Sequence, residues 1–368
     1  MINTKRLVDN FLSYIQIDSE SGNEKEMCDY LAKQLMELGF EVIIDNAGEK
    51  IGSNGYNVFA KMAGDSSKKP LLLSAHLDTV TPGNGIKPII DGDLIHTDGS
   101  TILGGDDKAG AAIIVECMQT IVENNLSSRP VEAVFSIFEE GGLKGAKNFD
   151  TTQLTAQEGV VIDSGGPIGT IITKAPAQDA FKVLIHGKPA HAGLAPEEGI
   201  SAIQIAAKAL ENMNLYRIDE ETTANFGYIC GGGATNIITD LVELRGETRS
   251  LSIPKLEKQT DSMIKALEDA AIALGGTTDI EVTRNYDPLV IDESSNIVVE
   301  LQKAFKANNL EPLLKSTGGG SDTNVYYAGG INCVNISCGM DKVHTTEEKI
   351  SILDMENTAK SLFTLLTQ

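Results

Sequence analysis

The chain has 368 residues, 41% hydrophobic and 22% charged, with a formal net charge of −22. That length holds about two domains with a real core, and the composition is that of an ordinary globular protein. So acidic a surface repels nucleic acid and anionic membranes, so neither is expected as a partner.

Along the chain, Leu7, Phe11, Leu12 and Ile15 fall on one face of an N-terminal helix. Ser21 and Glu24 have capping-box spacing, which predicts a helix running to Gly39 and then a strand. KPLLLSAHLDT supplies an apolar strand from Leu71. GGDDKAGAAIIVECMQTIVENN reads as a loop followed by a largely buried helix beginning near Ala109. Val131–Phe138 and the segment GVVIDSGGP, from Gly159, are two further strands. Strands that alternate with helices predict a mostly parallel sheet covered by helices.

The pattern changes near Pro176. FKVLIHGKPAHAG alternates as a half-exposed strand, and residues 197–213 form a helix. TNIITDLVELRGETRSLS offers two antiparallel strands. A helix follows with Pro254 in its first turn, and DIEVTRNYD closes as a strand. Strand–helix–strand–strand–helix–strand is the order of a small ferredoxin-like sheet. After about Pro288 the α/β pattern resumes, with helix NIVVELQKAFKANN, strand INCVNIS and a last helix from near Ser351. The expected fold is therefore α/β. A main domain over 1–175 and 288–368 is interrupted by a smaller α+β lid domain over 176–287.

In open α/β sheets, ligands bind beyond the carboxyl ends of the strands. His76 and Asp78 follow one strand, Glu139 and Glu140 another, and Asp163 a third. Asp106 and Asp107 precede a helix, and His344 lies in a loop beyond INCVNIS. Taken singly, each has an ordinary explanation: a structural histidine, an N-cap, a turn former or a solvated strand end. Together they would gather several negative charges at one sheet edge. Two divalent cations would neutralise that cluster and accept imidazole and carboxylate as ligands.

The five cysteines are odd in number and form no C-x-x-C pair, which points to a reducing compartment. Met1–Asp18 has no signal-peptide apolar core, and no run approaches the ~18 apolar residues of a membrane span. A cytoplasmic protein is expected. Nucleotide-binding and nucleophile-elbow signatures are absent, and His96 and His186 match no motif.

HLDT at 76–79, GGDDKAG at 104–110, EEGG at 139–142, IDSGG at 162–166 and His344 carry a resemblance. In this order, broken by a lid, they resemble the co-catalytic zinc peptidases related to peptidase T, the glutamate carboxypeptidases and the aminoacylases. The resemblance spans nearly the whole chain and implies two divalent metal ions, zinc first, with cobalt and manganese also suited to the donor set. It implies that Asp106 bridges them, that His76 and Asp163 complete one site, and that Glu140 and His344 complete the other. Asp78 would orient the His76 imidazole, and Glu139 would be the general base acting on a metal-bridged water. In the lid, His191 of AHAG would reach the scissile carbonyl, sometimes from a partner subunit, while Asn236 and Arg249 would hold the substrate. Gly319, in TGGGSDTN at 317–324, would belong to a glycine-rich loop lining the substrate pocket.

Position 163 is Asp where the carboxypeptidase and acylase branches usually carry Glu, and GGDDKAG and IDSGG look closest to peptidase T. The resemblance thus implies an aminopeptidase releasing the N-terminal residue of short peptides. A carboxypeptidase or N-acyl-amino-acid amidohydrolase is the alternative within the hydrolases. A non-catalytic metal-dependent binding protein is the alternative outside them. The lid sheet would have an edge able to pair in a homodimer.

Overall fold

Leu71–His76 and Val131–Ser136 are buried at every position, the pattern of strands covered on both faces. They sit side by side and parallel, with His76 opposite Ser136. The structure, a computed structural model, describes all 368 residues. Its largest sheet has nine strands. Glu158–Gly165 runs parallel to Leu71–His76 on the side away from Val131–Ser136, and Asn332–Met340 runs parallel beyond it. Antiparallel strands, among them Val58–Met62, flank this centre. The four parallel strands therefore open their carboxyl ends on the same edge.

The helix Thr4–Ile15 is capped by Asn3, whose side chain accepts from Arg6 N–H, and it buries Leu7, Phe11, Tyr14 and Ile15. Tyr14, rather than Leu12, completes the buried face because its hydroxyl reaches Gln34 at 2.6 Å. The next helix, Lys25–Glu37, has no side-chain cap, so the capping box expected at Ser21 and Glu24 does not form. Ser21 donates instead to Asp78 Oδ2 at 2.6 Å, and Glu24 accepts from Gly22 N–H and the Ser53 hydroxyl. The helix Gly105–Glu123 is buried almost throughout, and its backbone is non-helical at Asp106 and Asp107, the peptide between which is cis.

Contacts divide the chain into one unit of Met1–Thr173, Val290–Ser316 and Ser321–Gln368, and a second of Lys174–Leu289 and Thr317–Gly320. In the second, the antiparallel sheet runs Thr222–Gly231, Leu241–Ser250, Ala177–His186, Thr277–Tyr286, with the two-residue strand Tyr216–Arg217 outside the first. Helices Ala202–Glu211 and Ile253–Leu274 supply Ile205, Ala206, Met263 and Leu267 to its apolar core. This is the ferredoxin-like order. The sequence reading placed both central strands within 235–252. Only Leu241–Ser250 lies there, and its hairpin partner is the earlier Thr222–Gly231. The glycine-rich residues 317–320 also differ from the reading, which put them in the main domain. Thr317 N–H bonds Lys174 O at 2.9 Å, and Gly320 leaves room for Tyr286, since a Cβ there would lie 2.3 Å from that ring. No helix is long and apolar enough to cross a membrane.

One buried charge pair anchors the helix that carries Asp106. Glu116, fully buried, accepts from Arg6 Nε at 2.6 Å, Arg6 Nη2 at 3.0 Å, Asn3 N–H at 2.7 Å and the Thr120 hydroxyl at 2.8 Å. Removing the arginine strands a carboxylate in the core. Arg6→Ala is expected to cost about 3 kcal/mol or more, read as a lower urea midpoint for the first unit.

Candidate active site

The polar ends of the parallel strands converge within the first unit. His76 closes its strand with only 2% of its side chain exposed. Its Nδ1 lies 3.0 Å from the backbone carbonyl of Asp78 and 3.4 Å from that residue's carboxylate. The carbonyl can only accept, so Nδ1 carries the proton and Nε2 is left facing the cluster. Nε2 is 3.0 Å from Asp106 Oδ1 and 3.8 Å from Asp163 Oδ1. The other oxygen of Asp106, Oδ2, is 3.2 Å from His344 Nε2, which is also 2.8 Å from Glu140 Oε1. Asp106 thus offers one oxygen to each of two imidazoles.

The adjacent Glu139 and Glu140 are fixed through their backbone. Phe138 takes φ +53°, turning the chain out of the strand, and Gly141 must lack a side chain because a Cβ would sit 1.9 Å from the Phe138 ring. Glu139 N–H then donates to Asp78 Oδ1 at 2.8 Å and Glu140 N–H to Asp78 Oδ2 at 3.2 Å. Asp78, expected to serve His76, spends its carboxylate mainly on these two N–H groups and on Ser21. Asp163 is gripped by Asn335, which accepts from its N–H and donates to its C=O, each at 2.9 Å.

Burial and crowding set the charges. Burial pushes Glu139 well above the usual carboxylate range, with Asp322 and Glu140 adding to it. Burial does the same to Asp163, reinforced by Asp106 and Asp107. Against burial, bonds from His344 and His76 hold Asp106 below the usual range. Burial opposes a charged His76, yet Asp106 and Asp78 raise it well above an ordinary histidine. Contacts with Asp106 and Glu140 raise His344 to about 10. The cluster therefore holds extra protons where positive charge is needed. Its donor set of two imidazole nitrogens and three carboxylates fits two divalent cations. Glu140 Oε1 also fits: it is buried and makes no hydrogen bond of good geometry, despite the nearby imidazole.

Three neighbours take roles that sequence reasoning did not assign. Asp107 accepts from the N–H groups of His76 and Gly110, both at 3.2 Å, and so helps hold the histidine. Asp322 takes a bond from the Ser136 hydroxyl, has its other oxygen buried without a partner, and is raised to about 6 by burial. Glu348 accepts three N–H groups from the loop before Asp106. Asp107 and Asp322 stand in the GGDDKAG and TGGGSDTN motifs, and Glu348 lies four residues beyond His344 in HTTEEK.

The remaining expected residues lie in the second unit. His191 is exposed, and its Nδ1 accepts from Gly193 and Leu194 N–H at 3.1 and 3.2 Å, which places its proton on Nε2. Asn236 is adjacent, its C=O accepting from Ala192 N–H at 2.9 Å. Arg249 is paired with Glu247 through Nε and Nη2 at 2.8 and 3.0 Å, and its Nη1 reaches Gly318 O at 3.3 Å, beside Gly319.

Fold and cluster together define a hydrolase of the metallopeptidase type. The chain belongs to peptidase family M20/M25/M40, whose sequence profile matches residues 72–368. Within that family it is peptidase T-like. It is 40% identical to the uncharacterised protein YqjE of Bacillus subtilis over 368 residues, covering all of this chain and 99% of the relative. Among solved structures it is similar to aminopeptidase PepT from Bacillus cereus, at 40% identity and TM-score 0.90 over 100% of this chain and 98% of the other. It is also similar to a tripeptidase from Staphylococcus aureus, at 37% identity and TM-score 0.95 with the same coverage.

Asp78→Ala leaves two buried N–H groups without an acceptor and frees the Glu139–Glu140 turn. Calorimetric titration of the metal-stripped variant with Zn²⁺ is expected to show affinity about 10- to 100-fold weaker than wild type.

Proposed function

We propose that the chain is a two-metal aminopeptidase that releases the N-terminal residue of short peptides, tripeptides first. One observation carries the reading: Asp106 presents its two oxygens to His76 on one side and His344 on the other. Asp163 and Glu140 extend that arrangement outward, one beside each histidine. The aminopeptidase side is supported by Asp at position 163 and by the aminopeptidase and tripeptidase names of the similar solved structures.

Divalent ions, zinc first, would be held by His76, Asp106, Asp163, Glu140 and His344, would neutralise these carboxylates and would make a water a stronger acid, its pKa falling toward ~7. Everything else falls to the chain's own groups. Glu139 takes a proton from the attacking water and returns it to the departing amine. Its backbone is pinned by Asp78 while its carboxyl stays free for that transfer. His191, whose Nε2 carries its N–H, keeps the role that the resemblance implies, donating to the scissile carbonyl oxygen as negative charge grows there. Asn236, Arg249 and Gly319 keep the substrate-binding roles that the resemblance implies. The Glu247 pairing holds the Arg249 guanidinium through Nε and Nη2, while Nη1 reaches Gly318 O.

A mass-spectrometric panel of one tripeptide, with free, N-acetylated and C-amidated ends, tests the reading with zinc, cobalt or manganese restored. Cleavage after the first residue that acetylation abolishes is the expected result. Cleavage that survives acetylation but not amidation would move the chain to the carboxypeptidase and acylase side.

Glu139→Gln is expected to lose about 10²- to 10⁴-fold in kcat while binding metal as tightly as wild type. Activity within about threefold of wild type would remove Glu139 from the role.

Metal loading must also displace the protons held on His76 and His344. Both are raised above the ordinary histidine value by the carboxylates beside them, so protons compete with metal for the two imidazoles. Zn²⁺ binding is therefore expected to release protons and to tighten as pH rises from 6 toward 9, which titrations in buffers of different ionisation enthalpy will read.

A further inference from the structure

Between the strand Asn332–Met340 and the last helix, the chain makes a closed loop. Asp341 and Lys349 pair across its neck, with Asp341 N–H to Lys349 O at 3.0 Å and Lys349 N–H to Asp341 O at 3.1 Å. Inside the loop His344 stands at φ +63°. At its far end Glu348 turns inward and is 1% exposed. Beyond Glu348, Lys349–Ser351 pairs with the strand Leu94–His96, so the end of the loop is held by a small sheet.

Glu348 makes no ion pair with a basic side chain. Its Oε2 accepts from Leu103 N–H at 2.7 Å and Gly104 N–H at 2.9 Å, and its Oε1 accepts from Asp106 N–H at 3.1 Å. Gly105 completes the fit, because a Cβ there would stand 3.0 Å from Glu348 Oε1. These N–H groups belong to the loop that leads into the helix and donate to no backbone carbonyl. The loop that presents His344 thus grips the backbone that presents Asp106. The carboxylate of Asp106 in turn faces His344 at 3.2 Å.

We propose that Glu348 is a positioning residue that locks the His344 loop to the Asp106 loop, and so sets the spacing of the two metal sites. The inference rests on the reading of Asp106 and His344 as metal ligands. A carboxylate suits the task because one side chain accepts three N–H groups through two oxygens, in charge-assisted bonds. A glutamine offers a single acceptor oxygen and turns an amide N–H₂ toward the remaining donors.

The test is a calorimetric titration of Zn²⁺ into metal-stripped protein, with kcat and KM measured after reloading. Four proteins are compared: wild type, Glu348→Gln, Gly105→Ala and Glu132→Gln. Glu132 is a matched control, a buried carboxylate that also accepts backbone N–H groups, from Thr155 and Ala156, away from the cluster. Glu348→Gln is expected to weaken Zn²⁺ binding about 10- to 100-fold and to lower kcat with KM little changed. Gly105→Ala crowds the same carboxylate from the other side and is expected to weaken binding in the same direction. Glu132→Gln should lose thermal stability and keep wild-type Zn²⁺ affinity.

If Glu348→Gln and Gly105→Ala both fold and bind Zn²⁺ within about fivefold of wild type, the positioning role is overturned while the metal-site reading stands. An equal loss of affinity in Glu132→Gln overturns it as well, because general destabilisation then explains the effect. If Glu348→Gln does not fold, Gly105→Ala decides alone by the same criterion. Failure of wild type to bind Zn²⁺, Co²⁺ or Mn²⁺ removes the metal sites, and the inference falls with them.

Discussion

The cluster turns on a single carboxylate shared by two imidazoles. Asp106 is set between His76 and His344, with an oxygen toward each, and further acids stand close outside that line. So much negative charge in so little solvent is unfavourable unless protons or cations neutralise it. The raised histidines and the raised Glu139 and Asp163 are that constraint expressed without metal. The surrounding structure holds the donors at spacings they would not choose alone.

That holding is done by backbone hydrogen bonds rather than by opposing charges. Asp78 binds the N–H groups of the Glu139–Glu140 turn, Asn335 brackets Asp163, and Glu348 binds the approach to Asp106. A lysine or arginine in any of these places would neutralise a ligand and compete with a cation for it. Behind them Arg6 and Glu116 fix the helix itself, at a distance where a full ion pair does no harm to the donors.

The strands, most helices and the acids at the strand ends were legible because their signals are local. A buried apolar run ended by His, Asp or Glu reads the same in sequence as in structure. The failures share one cause. Ser21 and Glu24 match a capping box within four residues, but Ser21 finds a stronger acceptor 57 residues away in Asp78. The hairpin partner of Leu241–Ser250 was misplaced because residues 235–240 include the β-prone Ile237, Ile238 and Thr239, and only pairing with Thr222–Gly231 decides against a strand there. Glu348 bonds residues some 240 positions earlier, beyond the reach of any local pattern. The glycines at 317–320 announce a loop without saying which unit it packs against.

The two adjacent acids at the end of the strand Val131–Ser136 depend on a contrast between Asp78 and Glu139, carboxylates one hydrogen bond apart. Asp78 accepts from Ser21 and from two N–H groups and sits beside His76, so despite complete burial it is held below the usual range and stays ionised. Glu139 lends only its N–H to this network. Its own carboxyl is left in a buried, acid-rich setting that pushes it well upward. Environments that drive neighbouring acids apart are how one site separates support from proton transfer. A saturated Asp78 cannot take a further proton cheaply and can hold the turn, while Glu139 can gain and lose one without disturbing it. That asymmetry fits the proposal of Glu139 as base. It also explains why the chain places the glutamates in tandem: one N–H pair bound to one aspartate fixes both residues and leaves both carboxyls outside that network, the one of Glu140 beside His344.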